Sequence, residues 1–452
     1  MITSKVNIGE VKATNLRIDA SYHLSEGQEI KRVISSSPYG LLSIQDVCSN
    51  IFIGNRARRV YVTREDKGIR FLSSSDILLA DLESVKLASV KYTPNIDQMR
   101  LQKGWTLISR SGTIGNCAFS NRNHAEKLSS EHVLRCVPNG KIKEGLVYAY
   151  LASKFGHSLL TQGTFGAVIQ HIEPEYVASL PIPSFPDDFQ ILVDTKMQES
   201  ALLREKAAAE LKSAISCFED GIGHCQYSYK YKTKAVKSSS VSSRFTRFDS
   251  QYQIGKIELD KDLSYKSCVK IGDVSKSIYV GNRGKRYYVK EGIPFLSSSD
   301  MMLFNPIKYS TPISVNTPNL EGLLVHTDDI LISRSGTIGN TVIVSDTLNG
   351  KAVSEHALRL VIDPDKMDPK YVFCYLNTAH GKRVLESLAY GSVIITLGEE
   401  FVANIDLPLL SKEAKDTISA KIKQYSSLLD EATRLENEAV SLVEAEIEKW
   451  NN

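Results

Sequence analysis

The chain has 452 residues, of which 42% are hydrophobic and 24% are charged, and its formal net charge is +3. This composition is typical of a globular protein and excludes wholesale disorder. No apolar run approaches the roughly 18 residues that cross a bilayer, and Met1–Lys5 lacks the apolar core of a secretory signal. We therefore expect a cytoplasmic protein with no membrane segment. The seven cysteines are odd in number and form no CxxC pair, which argues against disulfides and a metal site.

Each half of the chain is predicted to begin with a strand-rich region. Short β-branched or aromatic runs bounded by Gly, Ser, Asn or Pro are typical of strands. In the first half they are 60–62, 105–108 and 132–136, and in the second half 287–289, 329–332 and 356–361. Short helices are predicted near 146–160 and 371–388, and each half then reaches a proline-marked stop, Leu180-Pro-Ile-Pro183 or Leu407-Pro408.

These similarities reflect a long internal repeat. The octapeptide SRSGTIGN occurs at 109–116 and again at 333–340. The same offset, with small shifts, relates further matching segments: 17–22 and 247–252, 54–56 and 281–283, 71–76 and 295–300, 130–132 and 354–356, 168–169 and 393–394, and 177–183 and 402–408. A fixed long period indicates a duplicated architecture. The sequence thus predicts an α+β protein of two similar domains related by pseudo-twofold symmetry.

Two segments without internal Pro or Gly, 188–218 and 411–450, are predicted to be long helices. Their apolar residues follow a 4-3 spacing that predicts a heptad seam, interrupted by Arg204 in the first and Glu436 in the second. The seam positions are Met197, Ala201, Ala208, Leu211, Ile215, Phe218, Ile418, Ile422, Tyr425, Leu429, Ala432, Ala439 and Val443.

The two helices are interpreted as an antiparallel coiled coil that acts as a spacer. The alternative is that each helix packs only on its own domain. The predicted division is a first domain at 1–186, a central helix at 187–220, a linker at 221–243, a second domain at 244–410 and a terminal helix at 411–452. Two domains at a fixed separation suit a rod-like target, and duplex DNA is such a target.

Basic residues follow the repeated Gly-Asn dipeptides. Arg56, Arg58 and Arg59 follow the first, while Arg283, Lys285 and Arg286 follow the second. Such residues neutralise phosphates and give salt-dependent affinity. The alternative is a solvated turn between strands.

The octapeptide offers a second set of candidates. Its two glycines permit tight turning and close approach to a ligand, and Ser111, Thr113 and Arg110 carry groups that bind phosphate or a base edge. Because both copies are identical, the octapeptide is expected to build a loop rather than select bases. Sequence selection is instead expected in segments that differ between the copies, 78–104 against 302–327 and 120–127 against 344–351.

Tandem units, the SRSGTIG loop, the entry 180–183 followed by Gln190-Ile191, and the long helix after it resemble the specificity subunit of Type I restriction-modification enzymes. The resemblance covers essentially the whole chain. Two departures affect only the helix entries: Pro183-Ser-Phe-Pro-Asp-Asp-Phe-Gln190 replaces the usual motif, and Pro408-Leu-Leu-Ser-Lys-Glu413 lacks its glutamine.

The resemblance implies a non-catalytic subunit with two target recognition domains, each reading half of a bipartite DNA site. It implies two partner methyltransferase subunits, which carry S-adenosylmethionine, and restriction or translocase subunits as further partners, with no cofactor or metal on this chain. The DNA contacts it implies are Asn55, Arg56, Arg59, Arg110, Ser111, Thr113, Asn282, Arg283, Lys285, Arg286, Arg334, Ser335 and Thr337. Since the two domains are so alike, we expect related half-sites in inverted orientation.

Two other functions remain as alternatives. A self-contained DNA-modifying enzyme finds little support, because the sequence lacks GxxxxGK[ST], GxGxxG, HExxH and GxSxG motifs. The tripeptides Ser130-Glu131-His132 and Ser354-Glu355-His356 contain residue types found in hydrolase sites, but neighbours along a strand point to opposite faces and cannot form a catalytic cluster alone. A carboxylate nuclease site around Asp363-Pro364-Asp365 is equally weak, since such residues usually lie in solvated turns. The other alternative is a scaffold that uses its helices for protein contacts only.

Overall fold

The computed structural model describes residues 6, 8–9, 26–56, 59–164, 171–223, 247, 249, 252–253, 259, 263, 267–391 and 395–451. The predicted repeat segments 17–22, 168–169 and 393–394, as well as Arg58 and most of the predicted linker, lie outside this range. No helix among the described residues is both long enough and apolar enough to span a bilayer.

The chain forms two compact units, which we call unit 1 and unit 2. Unit 1 comprises 1–205 and 431–452, and unit 2 comprises 206–430. These units do not coincide with the predicted division, because each takes in part of both long helices.

Unit 1 contains a four-stranded antiparallel sheet in the order β2-β9-β6-β7, a second sheet in the order β3-β5-β4-β8, and the small pair β1-β10. Among the described strands of unit 1, only β4 and β8 pair in parallel. The strands are β1 Leu41–Ser43, β2 Cys48–Ile53, β3 Tyr61–Val62, β4 Gly68–Leu72, β5 Leu87–Ser89, β6 Thr106–Ser109, β7 Cys117–Phe119, β8 Leu128–Ser129, β9 Val133–Pro138 and β10 Pro181–Pro183. The helices are α1 Glu26–Ser35, α2 Ile44–Val47, α3 Glu144–Ala152, α4 Lys154–Gln162, α5 Pro174–Ala178 and the first part of α6 Asp187–Ile222.

Unit 2 repeats this plan with sheets β12-β18-β15-β16, β14-β13-β17 and β11-β19. The strands are β11 Cys268–Lys270, β12 Ser275–Val280, β13 Tyr288–Leu296, β14 Thr311–Ile313, β15 Ile330–Ser333, β16 Thr341–Ile343, β17 Ala352–Val353, β18 Ala357–Ile362 and β19 Asp406–Pro408. The helices are α7 Pro369–Asn377, α8 Ala379–Leu388, α9 Glu399–Ala403 and α10 Lys412–Glu448. One long strand, β13, occupies the place that β3 and β4 take in unit 1, with an irregular register between Tyr288 and Ile293.

The predicted helical regions 146–160 and 371–388 are each two helices rather than one. Ser153 accepts a hydrogen bond from the Gly156 amide and caps α4, and Thr378 caps α8 through the Gly381 amide. A hydroxyl at this position begins a new helix because it satisfies a backbone N–H that has no partner within the helix. The same break therefore occurs at the same place in both copies.

Both long helices form, as predicted. In unit 1, the core contains Met197 and Ala201 of α6 together with Ala439 and Val443 of α10. In unit 2, the core contains Leu211 and Phe218 of α6 together with Ile418 and Ile422 of α10. Each core therefore contains residues of both α6 and α10. The alternative, in which each helix packs only on its own domain, does not describe these contacts. Ala208, Ile215, Tyr425 and Leu429 are partly buried, and Ala432 is buried.

Carboxylates on the helices bind the domains at matching positions. In unit 1, Glu205 accepts a hydrogen bond from the Arg122 amide at 2.8 Å, and in unit 2 Asp430 accepts one from the Asp346 amide at 3.1 Å. Glu444 likewise accepts from the Lys154 amide at 2.6 Å in unit 1, and Glu219 from the Ala379 amide at 2.9 Å in unit 2. The duplication therefore extends from the sequence to individual contacts between the domain and the helices.

Candidate nucleic-acid interface

The Gly-Asn-Arg loop of each unit lies directly over a buried arginine. A Cβ atom placed on Gly54 would lie 2.7 Å from Arg135 Nη2, and one on Gly281 would lie 2.8 Å from the Arg359 guanidinium. Real side chains do not approach so closely, so glycine is required at both positions because of this contact. The first residue of the motif is thus explained by packing rather than by a ligand.

Arg135 and Arg359 extend from β9 and β18 and are fully buried. Arg135 Nη1 donates to the carbonyls of Val133 at 2.7 Å and Ser130 at 3.2 Å. Arg359 makes the matching bonds to Ala357 at 2.7 Å and Ser354 at 3.0 Å.

Burial lowers the pKa of Arg135 to about 10 and also lowers the pKa of Arg359. Arginine in proteins is effectively always protonated at neutral pH. Each therefore places a positive charge beneath the loop, held by backbone carbonyls. Neither arginine is among the residues predicted from the sequence. The available signal was a single arginine inside an apolar strand run, repeated at the same position in both copies.

Arg59 and Arg286 hold the loop in place. Arg59 Nη2 donates to Ser130 Oγ at 3.1 Å, and the guanidinium lies 5.0 Å from the centre of the Phe71 ring. Arg286 donates to the carbonyls of Asn282 and Gly284, each at 2.7 Å, and its side chain is 9% exposed. These two predicted DNA contacts have structural partners within their own unit.

Arg56 and Arg283 are different. Their side chains are 91% and 82% exposed, and their contacts with a carboxylate are long, 3.9 Å to Glu131 and 3.6 Å to Glu355. Exposed ion pairs at such distances contribute little, so both guanidiniums are available to another anion. Asn282 and Lys285 are also exposed, and Asn55 is half-buried.

The Ser-Glu-His segments lie in the turns that precede β9 and β18, not on the strands as the sequence analysis assumed. In this turn, His132 Nδ1 lies 2.8 Å from Ser111 Oγ, and His356 Nδ1 lies 2.9 Å from Ser335 Oγ. Each glutamate meanwhile faces the arginines of the Gly-Asn-Arg loop. The turn thereby connects the two predicted loops into one surface in each unit.

Both copies of SRSGTIGN form the tight loop that their glycines predict. Gly112 and Gly336 each have φ of 79°, and Gly115 and Gly339 have φ of 83° and 88°. Residues that carry a side chain rarely adopt a positive φ, whereas glycine adopts it readily. Thr113 and Thr337 are both exposed, and in the first copy Thr113 Oγ1 lies 3.2 Å from Ser109 Oγ.

The arginine of this loop differs between the units. Arg110 Nη2 lies 2.6 Å from Glu173 Oε1, its Nε donates to the Ile172 carbonyl at 2.9 Å, and its side chain is 13% exposed. Arg334 has no such partner among the described residues, and its Nε is buried without a hydrogen bond. Identical octapeptides are therefore not equivalent sites.

Within the described part of the chain, no group of three or more His, Cys, Asp or Glu residues is arranged to hold a metal ion. The exposed side chains of the loops include the cations Arg56, Arg283 and Lys285, the amide of Asn282 and the hydroxyls of Thr113 and Thr337. Such groups bind phosphate oxygens.

Three solved structures that resemble this chain come from Type I restriction-modification systems. Two of them are the S subunit from M. genitalium, at 13% identity and a TM-score of 0.32, and the HsdS subunit from Thermoanaerobacter tengcongensis, at 14% identity and a TM-score of 0.29. Each alignment covers 91% of this chain and 96% of the other. A third structure, described for complex assembly and conformational transition of the type I R-M system, aligns over 92% and 97% at 14% identity and a TM-score of 0.28. No family model and no curated protein matches the sequence.

Proposed function

We propose that this chain is the DNA-specificity subunit of a Type I restriction-modification system. It recognises a bipartite site in duplex DNA and directs methyltransferase subunits to that site, and it performs no catalysis itself. The proposal depends on one observation above all. The same device, an exposed arginine on a loop held over a buried arginine, is built twice.

The chemistry of this device suits a DNA backbone. Arg56 and Arg283 project into solvent, and the buried Arg135 and Arg359 add fixed positive charge below them. Arginine binds phosphate through two parallel N–H groups, and neutralised phosphates release counterions. The loops thus supply affinity and orientation, while the segments that differ between the units, 78–104 and 302–327, supply base selection.

The two long helices are proposed to act as an antiparallel spacer that sets the distance between the two half-sites. Support comes from the contacts inside each unit, where α6 and α10 contribute to one core. Because the units repeat the same contacts, we infer related half-sites in inverted orientation with an unspecified middle. Two methyltransferase subunits carrying S-adenosylmethionine, together with restriction or translocase subunits, are the proposed partners.

Duplex binding across a salt series tests the proposal. The logarithm of the affinity of the purified chain for random duplex DNA should fall linearly with the logarithm of salt concentration. Arg56→Ala and Arg283→Ala should each lower the slope by about one. Arg32→Ala, an equal change of charge on the exposed face of α1, is the matched control and should leave the slope unchanged.

The two alternatives give different results in the same preparation. A scaffold that binds only protein would show no salt-dependent duplex binding. A self-contained enzyme would transfer a labelled methyl group to DNA without added subunits. Either result would contradict the proposed function.

A further inference from the structure

The two copies of the octapeptide have the same backbone surroundings. The Ile172 amide donates to the Arg110 carbonyl at 3.3 Å, and the Leu397 amide donates to the Arg334 carbonyl at 3.0 Å. The next residue in each case is the N-cap of a short helix, Glu173 before α5 and Gly398 before α9. The side chain that differs thus occupies an equivalent place in both units.

In unit 1 that place holds a carboxylate, which neutralises Arg110 at 2.6 Å. In unit 2 the glycine offers none, and Arg334 makes no ion pair within the described residues. The neighbouring segment 392–394 has the sequence Ser-Val-Ile and supplies no acid. One octapeptide therefore presents a neutralised arginine, and the other presents an arginine whose charge is not balanced by any carboxylate among the described residues.

A buried donor without a partner lowers stability unless a ligand satisfies it. Arg334 Nε is such a donor; the Arg334 side chain is half-buried, and the exposed Gly336 and Thr337 follow it in the loop. A phosphate bound at the half-buried Arg334 guanidinium would supply the missing negative charge. Arg110 gains no such charge from a phosphate, because Glu173 already neutralises it and the Ile172 carbonyl already accepts from its Nε.

We propose that Arg334 contacts a DNA phosphate and that Arg110 is a structural residue without such a contact. The inference depends on the proposed function and refines it, since it assigns unequal roles to identical sequences. The two units then hold their half-sites with different numbers of phosphate contacts, and unit 2 has the extra one.

Salt slopes of duplex binding, measured on the full chain, test this assignment. Arg334→Ala should reduce the slope by about one, the value for one lost phosphate contact. Arg110→Ala should leave the slope unchanged. Because Arg110→Ala removes a structural ion pair, Glu173→Gln is the second variant: it frees the Arg110 charge and should raise the slope.

Gly398→Glu is the reciprocal change and should lower the slope as Arg334→Ala does. A Cβ at this position would lie 3.3 Å from both Tyr390 Oη and Phe401 Cδ2. Gly398→Ala introduces the same crowding without the charge, and it should retain the original slope.

The salt slopes distinguish a failure of this inference from a failure of the proposed function. If the unsubstituted chain binds duplex DNA with a steep slope while Arg334→Ala and Arg110→Ala change it equally or not at all, the inference is wrong and the proposed function stands. If the unsubstituted chain shows no salt-dependent binding, the proposed function is wrong and the inference is wrong with it.

Discussion

Arg204 of α6 and Glu436 of α10 form a buried ion pair in unit 1. Their side chains are 9% and 0% exposed, and Arg204 Nη2 binds Glu436 Oε2. The Tyr148 hydroxyl donates to the other carboxylate oxygen, so both oxygens are satisfied. The two residues that interrupt the predicted heptad seams thus pair with each other.

Unit 2 has no counterpart of this network. When the repeats are aligned, Arg204 corresponds to Leu429, Glu436 to Leu211 and Tyr148 to Phe373. Most of the remaining seam positions are apolar in both helices, although Ala201, Ala208 and Tyr425 correspond to Ser426, Thr433 and Ser200. A buried polar network at a mostly apolar seam can specify which helix faces which, and this network distinguishes α6 from α10.

Removing one partner of this pair should be strongly destabilising. Glu436→Leu leaves the Arg204 charge buried, and we expect a loss of about 3–5 kcal/mol in the free energy of unfolding. The triple variant R204L/E436L/Y148F, which copies unit 2, should recover most of that loss. Urea unfolding of the full chain measures both effects.

Glu438→Leu is the control for this series. Glu438 lies on the same helix, is 39% exposed, and pairs with Lys196 at 2.8 Å. An exposed pair of this kind contributes at most about 1 kcal/mol. Equal effects of Glu436→Leu and Glu438→Leu would contradict the role assigned to burial.

Adding a methyl group at Gly54 should disturb the loop above Arg135. The new Cβ would lie 2.7 Å from both Arg135 Nη2 and the Ser129 carbonyl, so we expect Gly54→Ala to cost about 1–3 kcal/mol and to weaken duplex binding. Gly40→Ala is the matched control, because nothing lies within 4 Å of its Cβ. Thermal unfolding and duplex binding measure the two variants, and normal binding by Gly54→Ala would show that the loop position does not matter.

Unit 1 should be sensitive to acid through His124. Burial lowers the pKa of His124 from 6.5 to about 4, and its Nε2 lies 3.0 Å from the Ile77 carbonyl. As the pH falls, His124 is protonated in the unfolded chain before it is protonated in the folded chain. The contribution of neutral, buried His124 to the free energy of unfolding is therefore complete above about pH 6.5 and is lost between about pH 6.5 and 4. The full loss in the free energy of unfolding is about 3 kcal/mol.

The corresponding residue in unit 2 is Leu348, which does not titrate. His124→Leu should therefore flatten the dependence of unfolding on pH between 6.5 and 4, which urea denaturation at a series of pH values would measure. An unchanged pH profile in the variant would assign the acid sensitivity to other groups.

Shortening both helices should change the spacing of the recognised half-sites. Seven residues of helix correspond to about 10.5 Å, which is about three base pairs of duplex. Deleting one heptad from the middle of α6 and one from α10 should reduce the unspecified middle of the site by about that number. Mapping methylated positions in cells that express the variant with its partner subunits checks this, and an unchanged spacing would contradict the spacer role.

Most of the regular structure could be predicted from the sequence by itself. The long period indicated two similar units, and runs without Pro or Gly predicted two long helices that the structure places at 187–222 and 412–448. The glycines of SRSGTIGN predicted a tight loop. These features depend on local chain preferences and on periodicity, both of which are visible in a linear sequence.

The state of each arginine was decided only by the tertiary structure. Arg56 and Arg59 are three residues apart, yet one is 91% exposed and the other packs on Phe71. Arg110 and Arg334 stand in identical octapeptides, yet among the described residues only Arg110 meets a carboxylate, from a residue 63 positions away. An ionic or cation–π contact depends on which distant residue the fold brings within a few ångströms, and local sequence carries no information about that distance.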